Sequence, residues 1–142
     1  MTQTAPTPFL SCPDILQAVS SALAHEANLK VAIVYGSAAT GMMRRESDVD
    51  VAVLFEKPLG VNDRLALWER LTAATHREID LVDLYSLGGE ILHQVLTKGR
   101  VVVKNDEPAY FGLTQRMVYQ RQDFMPLVRR AQRERIGRMM YG

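Results

Sequence analysis

The segment from Val34 to Phe55, VYGSAATGMMRRESDVDVAVLF, constrains the fold more than any other part of the chain. Two apolar, strand-like stretches flank a Gly-Ser turn, and two aspartates lie one residue apart at the start of the second stretch. A carboxylate in a buried strand is costly unless something compensates its charge. The pattern therefore predicts a strand whose acidic side chains, Asp48 and Asp50, face a bound cation.

Helical and strand-like patterns alternate along the chain. Apolar, β-branched runs predict strands over 29–35, 48–55, 77–84 and 100–104. Apolar residues at helical spacing predict helices from Ser11 to about Asn28, from Asn62 to about Thr75 and over 90–98, with Leu65 and Ile91 among the inward-facing residues. A short helix is expected after Ser37, and a last one from Pro108 that breaks or kinks at Pro126.

This alternation predicts an α/β fold with a mixed sheet of about four strands, flanked by helices and followed by a C-terminal helical tail. A chain of 142 residues is long enough for one hydrophobic core. We expect a flexible N-terminal arm over 1–12, a core over 13–107, and a tail over 108–142 that belongs to the same domain.

Charge and cysteine content exclude several classes of protein. A net charge of +1 argues against binding of polyanions by the whole surface, although seven arginines between Arg116 and Gly142 make the C-terminus locally basic. Cys12 is the only cysteine, which excludes an intramolecular disulfide and favours a reducing cytoplasm. The N-terminus lacks a basic leader and a continuous apolar stretch, so we expect neither a signal peptide nor a membrane anchor.

Two aspartates in the second strand predict a metal site. Residues i and i+2 of a strand point to the same face, so Asp48 and Asp50 are expected to project together, roughly 6–7 Å apart. Oxygen donors without histidine favour Mg²⁺, with Mn²⁺ as an alternative, and two such ions are typical of nucleotidyl transfer. Asp80 in the next strand supplies a third carboxylate, whereas Asp83, at odd separation, is expected on the opposite face.

The Gly36-Ser37 turn follows the first strand, at the end of a strand where ligands usually bind in α/β folds. Glycine allows a phosphate to approach the main chain, and serine offers a hydroxyl and an amide. The N-terminus of a following helix would favour an anion. The turn is therefore predicted to bind a triphosphate next to the metal ions.

These residues together resemble the signature of a known family. Gly36-Ser37, ten further residues, Asp48-x-Asp50 and then Asp80 are similar to the motif of minimal nucleotidyltransferases in the DNA polymerase β-like superfamily. The resemblance extends from about Leu29 to Lys104, and the segment 119–132 resembles the helical tail of the group's antitoxin members.

One position departs from the family pattern. Relatives often have an arginine soon after the Gly-Ser pair, whereas Ala38, Ala39 and Thr40 follow it here. Arg44 or Arg45 could contact phosphate instead, and a solvated surface charge is the alternative for both. Of the two, Arg45 is the predicted nucleotide-binding residue.

The resemblance implies an enzyme that transfers AMP from ATP to a hydroxyl group. In the antitoxin branch the acceptor is a tyrosine of a HEPN ribonuclease toxin, which is neutralised in a type VII toxin-antitoxin system. Asp48 and Asp50 would then bind both Mg²⁺ ions, while Asp80 would bind one ion and orient or deprotonate the acceptor. The family thus implies a cytoplasmic adenylyltransferase in a complex with its cognate toxin.

Three other functions remain open from the sequence. The chain could be a non-catalytic antitoxin that acts by binding alone, or a nucleotidyltransferase for a small molecule such as an aminoglycoside. An RNA-directed transferase would require the basic tail to bind RNA with strong salt dependence. We expect no direct nucleic-acid binding, and Tyr119 and Phe124 among the arginines favour the tail as a docking surface for a protein.

Overall fold

A computed structural model of the protein describes residues 11–44 and 46–120. Within these described residues the helices and strands are, in order, α1 (Cys12–Leu23), β1 (Leu29–Tyr35), α2 (Ser37–Thr40), β2 (Val49–Phe55), α3 (Val61–Thr75), β3 (Ile79–Asp83), α4 (Gly89–Lys98), β4 (Arg100–Lys104) and α5 (Glu107–Gln120). The expected α/β fold is confirmed, and the expected break at Pro126 lies outside the described residues.

The four strands form one mixed sheet in the order β3-β2-β1-β4. β1 pairs antiparallel with both β2 and β4, whereas β2 and β3 run parallel. Parallel strands need a crossover connection, and α3 provides it between β2 and β3. The first residues of β2 and β3 therefore lie beside the last residues of β1, at the same end of the sheet.

Each face of the sheet is covered by helices, which explains why the central strands are apolar on both faces. Residues Val31 to Val34 of β1 are all fully buried. On one face, side chains of β1, β2 and β3 pack with α1 and α3, including Ile15, Val19 and Leu71. On the other face, Val31, Ile33, Ala52 and Leu54 pack with Leu92, Val95 and Leu113 of α4 and α5.

Local chemistry sets the helix ends. The Ser11 hydroxyl accepts a hydrogen bond from the Asp14 amide, which caps α1 at its predicted start. α1 ends at Leu23 rather than near Asn28, because a turn closed by Glu26 N–H to Leu23 C=O reverses the chain before β1. α3 is capped by Gly60 and not by Asn62, and Gly60 supplies only its backbone.

Two apolar residues expected inside are exposed. Leu65 of α3 is 54% exposed and Ile91 of α4 is also 54% exposed, so both predictions were wrong. Each helix buries a narrower stripe than its sequence suggests, through Leu67 and Leu71 in α3 and Leu92 and Val95 in α4. Among the described residues, no helix is both long and apolar enough to cross a bilayer.

Candidate active site

A row of polar side chains crosses one end of the sheet. The strand register pairs Tyr35 of β1 with Asp50 of β2, and Asp50 with Asp80 of β3. The next row on the same face is apolar, with Ile33 opposite Ala52 and Ala52 opposite Val82. On the face of the sheet that α4 and α5 cover, a row of carboxyl groups therefore directly follows the last row of the hydrophobic core.

Asp50 and Asp80 form a close pair. Burial raises the pKa of the Asp50 carboxyl from an ordinary value of 3.8 to about 6, and the charge of Asp80, a hydrogen bond with the Asp80 side chain and the charge of Asp48 act in the same direction. Two carboxylates in contact resist ionisation together. A divalent cation between them would remove that repulsion, and oxygen-only donors suit Mg²⁺.

The two acids differ in exposure. Asp50 is half-buried, whereas Asp80 at the edge of the sheet is exposed. A large acceptor could therefore approach Asp80 from solvent, while Asp50 lies deeper beside the turn after β1. The two carboxylates therefore differ in their access to solvent.

Asp48 occupies a different position from that expected. It precedes β2, which begins at Val49, and it is exposed. Its charge contributes to the raised pKa of Asp50, so the two side chains are within electrostatic reach. Within residues 11–44 and 46–120, no three His, Cys, Asp or Glu side chains form a metal-binding group. The strand register pairs Asp50 with Asp80, and Asp48 lies one residue before the start of β2, close enough for its charge to act on Asp50.

Gly36 has two physical reasons to be glycine. Its backbone lies at φ 72° and ψ −150°, a conformation that is essentially restricted to glycine. A Cβ atom at this position would overlap Oδ2 of Asp50. The main chain of the turn therefore lies against the side chain of Asp50, which places any group bound on the turn next to this carboxyl.

Ser37 begins α2, which is a single turn of four residues. So short a helix has a weak dipole, and the expected contribution of its N-terminus to anion binding is correspondingly small. Ser37 directly follows Gly36, the residue whose backbone lies against Asp50. α2 ends at Gly41, whose φ is 79°.

The predicted cationic residues are only partly described. Arg44 is exposed, and its carbonyl and amide are engaged within the protein, so its side chain extends from a fixed backbone. Arg45 lies outside the described residues. The nucleotide-binding role of Arg45 stays a prediction.

Sequence reasoning missed two residues near the acids. Burial, followed by the charges of Asp50 and Asp80, raises the pKa of the Tyr35 hydroxyl to about 12. Arg77 lies between α3 and β3, and its guanidinium donates to the carbonyls of Arg44 and Ser47. The alternation of side chains along β1 could have predicted that Tyr35 lies on the same face of the sheet as Asp50. No local sequence pattern predicts the contacts of Arg77.

The fold and this site define a nucleotidyltransferase. The family model "Polymerase beta, Nucleotidyltransferase" matches residues 17–108, and the chain belongs to this family. A curated relative, the protein adenylyltransferase MntA of Shewanella oneidensis, is 37% identical over 75 residues. That match covers 51% of this chain and 52% of the relative, so the matched segment spans about half the length of that protein.

Solved structures share the fold. A chain of the crystal structure of a toxin-antitoxin with AMP-PNP has a TM-score of 0.62 and 24% identity, covering 87% of this chain and 94% of that chain. A tri-AMPylated Shewanella oneidensis HEPN toxin in complex with an MNT antitoxin contains a chain with a TM-score of 0.57 and 22% identity, covering 92% of this chain and 99% of that chain. At these identities the likeness concerns the fold.

Proposed function

We propose that this protein is a Mg²⁺-dependent adenylyltransferase that transfers AMP from ATP to a tyrosine of a cognate HEPN toxin and so acts as its antitoxin. The observation that carries the proposal is the Asp50–Asp80 pair in contact with the Gly36 turn. The names of the relatives support the acceptor and the partner, because they include a protein adenylyltransferase and an AMPylated HEPN toxin.

The proposed reaction forms a bond between the acceptor oxygen and the α-phosphorus of ATP. The bond between the α- and β-phosphates breaks, and pyrophosphate leaves. Asp80 accepts the proton of the attacking hydroxyl or orients it, as its exposed position at the sheet edge allows. Asp48 and Asp50 would hold both Mg²⁺ ions and Asp80 one of them, and the bound metal would neutralise charge that develops on the phosphates.

The nucleotide is proposed to lie on the Gly36-Ser37 turn. A Cβ at Gly36 would overlap Asp50, so this part of the turn lies against that carboxyl group, and a phosphate bound on the turn would be held next to Asp50. Arg45 is proposed to contact phosphate in place of the arginine that follows Gly-Ser in relatives. The low net charge and the single half-buried cysteine fit a role in the cytoplasm, without a membrane or nucleic acid as partner.

The test uses purified protein, radiolabelled ATP, Mg²⁺ and a purified HEPN-class protein as the candidate partner. We expect label on that protein, a mass increase of one or more AMP groups, and loss of its ribonuclease activity. Asp83→Asn is the matched control for Asp80→Asn, because Asp83 lies on the same strand but bonds to backbone amides.

The alternatives give different results in the same assay. A partner that is inhibited but unmodified would support an antitoxin that acts by binding alone. Label on an aminoglycoside or on RNA, with none on the partner protein, would support a different acceptor and overturn the proposal.

A further inference from the structure

Asp48 lies just outside the strand pairing that fixes the other two acids. Strand pairing fixes Asp50 opposite Asp80, but Asp48 precedes the ladder and is exposed. A ligand that moves freely binds a metal weakly, because ordering it on binding costs conformational entropy. The loop before β2 must therefore be held if Asp48 is to act with the other two acids.

Two hydrogen bonds join Arg44 and Ser47, the ends of the turn that precedes Asp48. The Ser47 amide donates to the Arg44 carbonyl over 3.1 Å, and the Arg44 amide donates to the Ser47 hydroxyl over 2.8 Å. These bonds close the turn on itself. They do not attach it to the rest of the protein, since both partners belong to the turn.

Arg77 attaches this turn to the third strand. One nitrogen of its guanidinium, Nη1, lies 3.0 Å from the Arg44 carbonyl oxygen and 3.0 Å from that of Ser47. Arg77 is three residues before Asp80, and the neighbouring Glu78 carbonyl accepts the Val49 amide over 2.9 Å. The connection thus joins the segments that carry all three acids.

The backbone conformation of the residue before Arg77 determines where the Arg77 side chain lies. His76 ends α3 in the left-handed conformation, at φ 57°, and its amide bonds to the Thr72 carbonyl. The chain therefore turns sharply between the helix and β3, and Arg77 is half-buried in that bend. A rigid, planar guanidinium can bridge two carbonyls in a way that a lysine amine on a flexible stem reproduces poorly.

We propose that Arg77 is a positioning residue that holds Asp48 beside the Asp50–Asp80 pair and thereby sets the affinity of the site for divalent cations. The inference rests on the proposed function for the nature of the site. It adds a residue that acts through the backbone carbonyls of Arg44 and Ser47.

Arg116 offers a matched control at the other end of β3. Its guanidinium also donates to two backbone carbonyls, those of Leu84 and Tyr85, from α5. Arg116→Gln thus removes the same kind of contact without touching the acidic end of the sheet. Any general loss of stability should be similar in the Arg77→Gln and Arg116→Gln variants.

The first measurement is the binding of Mn²⁺ by calorimetry in the presence of a non-hydrolysable ATP analogue. We expect Kd to rise by about 10-fold or more in Arg77→Gln, to recover only partly in Arg77→Lys, and to stay within about twofold of wild type in Arg116→Gln. Equal Kd values in folded Arg77→Gln and wild-type protein would overturn the inference.

The second measurement needs no metal. Amide hydrogen exchange at Ser47 and Val49 should be about 10-fold faster in Arg77→Gln than in wild-type or Arg116→Gln protein. Should Arg77→Gln not fold, Ser47→Ala opens the same turn more gently by removing the acceptor of the Arg44 amide, and we expect a Kd increase of about threefold. An unchanged Kd in that variant would contradict the inference.

The two readouts separate the inference from the proposed function. If wild-type protein binds no Mn²⁺, the proposed function fails together with the claim about affinity, while the exchange rates still show whether Arg77 holds the loop. If wild-type protein binds Mn²⁺ and Arg77→Gln binds it equally well, only the inference about Arg77 fails.

Discussion

Each end of β3 carries an aspartate, and an arginine donates hydrogen bonds to backbone carbonyls near each end. The two aspartates nevertheless have opposite surroundings, because one carboxylate lies beside hydrogen-bond donors and the other beside a second carboxyl group. Asp83 accepts hydrogen bonds from the Leu59 and Tyr85 amides, both over 3.0 Å. Asp80 instead faces the carboxyl of Asp50, whose pKa is raised. One carboxylate is satisfied within the fold, and the other belongs to a pair that repels.

The difference shows which acid is structural and which is available for chemistry. Backbone amides stabilise the charged form of Asp83, so it needs no further partner. The ionised Asp50–Asp80 pair lowers stability, as the raised pKa of Asp50 indicates, and such destabilising pairs are common in functional sites. Four predictions follow from this contrast between the acidic end and the bonded end of the strand.

Asp50→Asn should have the largest effect, because it removes the half-buried acid of the pair. We expect transfer of AMP to fall by at least about 1,000-fold, since charge stabilisation by a bound metal contributes several kcal/mol. The folded structure should persist, as circular dichroism can verify. A variant that keeps a tenth of the wild-type rate would contradict the assignment.

Asp80→Asn and Asp83→Asn test the two ends of the strand directly. The first should slow transfer by about 100-fold, as expected for loss of a base or orienting group, with little change in stability. The second should leave the rate within about threefold but lower the free energy of unfolding by about 1 kcal/mol, because an amide accepts the backbone bonds less well. Rates measured at saturating Mg²⁺ and urea denaturation distinguish these outcomes, and a reversed pattern would refute the comparison.

Gly36→Ala should perturb the acidic end through sterics alone. The backbone conformation of Gly36 and the overlap with Asp50 predict a loss of about 1–3 kcal/mol in the free energy of unfolding. Gly41→Ala is a useful control, because Gly41 also has a positive φ but has no atom near its missing Cβ. Similar losses in both variants would show that contact with Asp50 contributes little.

The raised pKa of Asp50 gives the smallest predicted effect. The pKa of the Asp50 carboxyl is 3.8 in the unfolded chain and about 6 in the folded protein. Between these two pH values the folded protein therefore binds the carboxyl proton of Asp50 more tightly than the unfolded chain does. The free energy of unfolding contributed by Asp50 therefore falls as pH rises through this window, by about 1 kcal/mol after allowance for solvent screening. Without metal at pH 7, Asp50→Asn should be more stable than wild type by this amount, and saturating Mg²⁺ should remove the difference. A less stable Asn variant in metal-free buffer would argue against repulsion within the pair.

Much of the fold could be predicted because its signals are local. The bounds of β1 and β4 follow directly from β-branched runs that end at Gly36 and Asn105. The mixed four-strand sheet follows from the alternation of helices and strands. Periodicity could not decide which apolar residues of an amphipathic helix lie inside, and for this reason Leu65 and Ile91 were misplaced.

The candidate site was predictable only in part. Alternation within strands separates Asp80 from Asp83 and places Asp50 on the same face as Asp80. Whether Asp48 belongs to β2 depends on the residue at which the strand begins. A sequence pattern does not predict the end of a strand to within one residue. The contacts of Arg77 join residues about 30 positions apart and arise only from the tertiary fold.

Diffraction from crystals soaked with Mn²⁺ and a non-hydrolysable ATP analogue would show whether the Asp50–Asp80 pair holds a divalent cation beside a triphosphate. We expect an anomalous peak at about 2.1 Å from carboxylate oxygens of both Asp50 and Asp80, with the triphosphate on the turn at Gly36 and Ser37. A peak beside Asp83, or a triphosphate bound with no ion between Asp50 and Asp80, would contradict it.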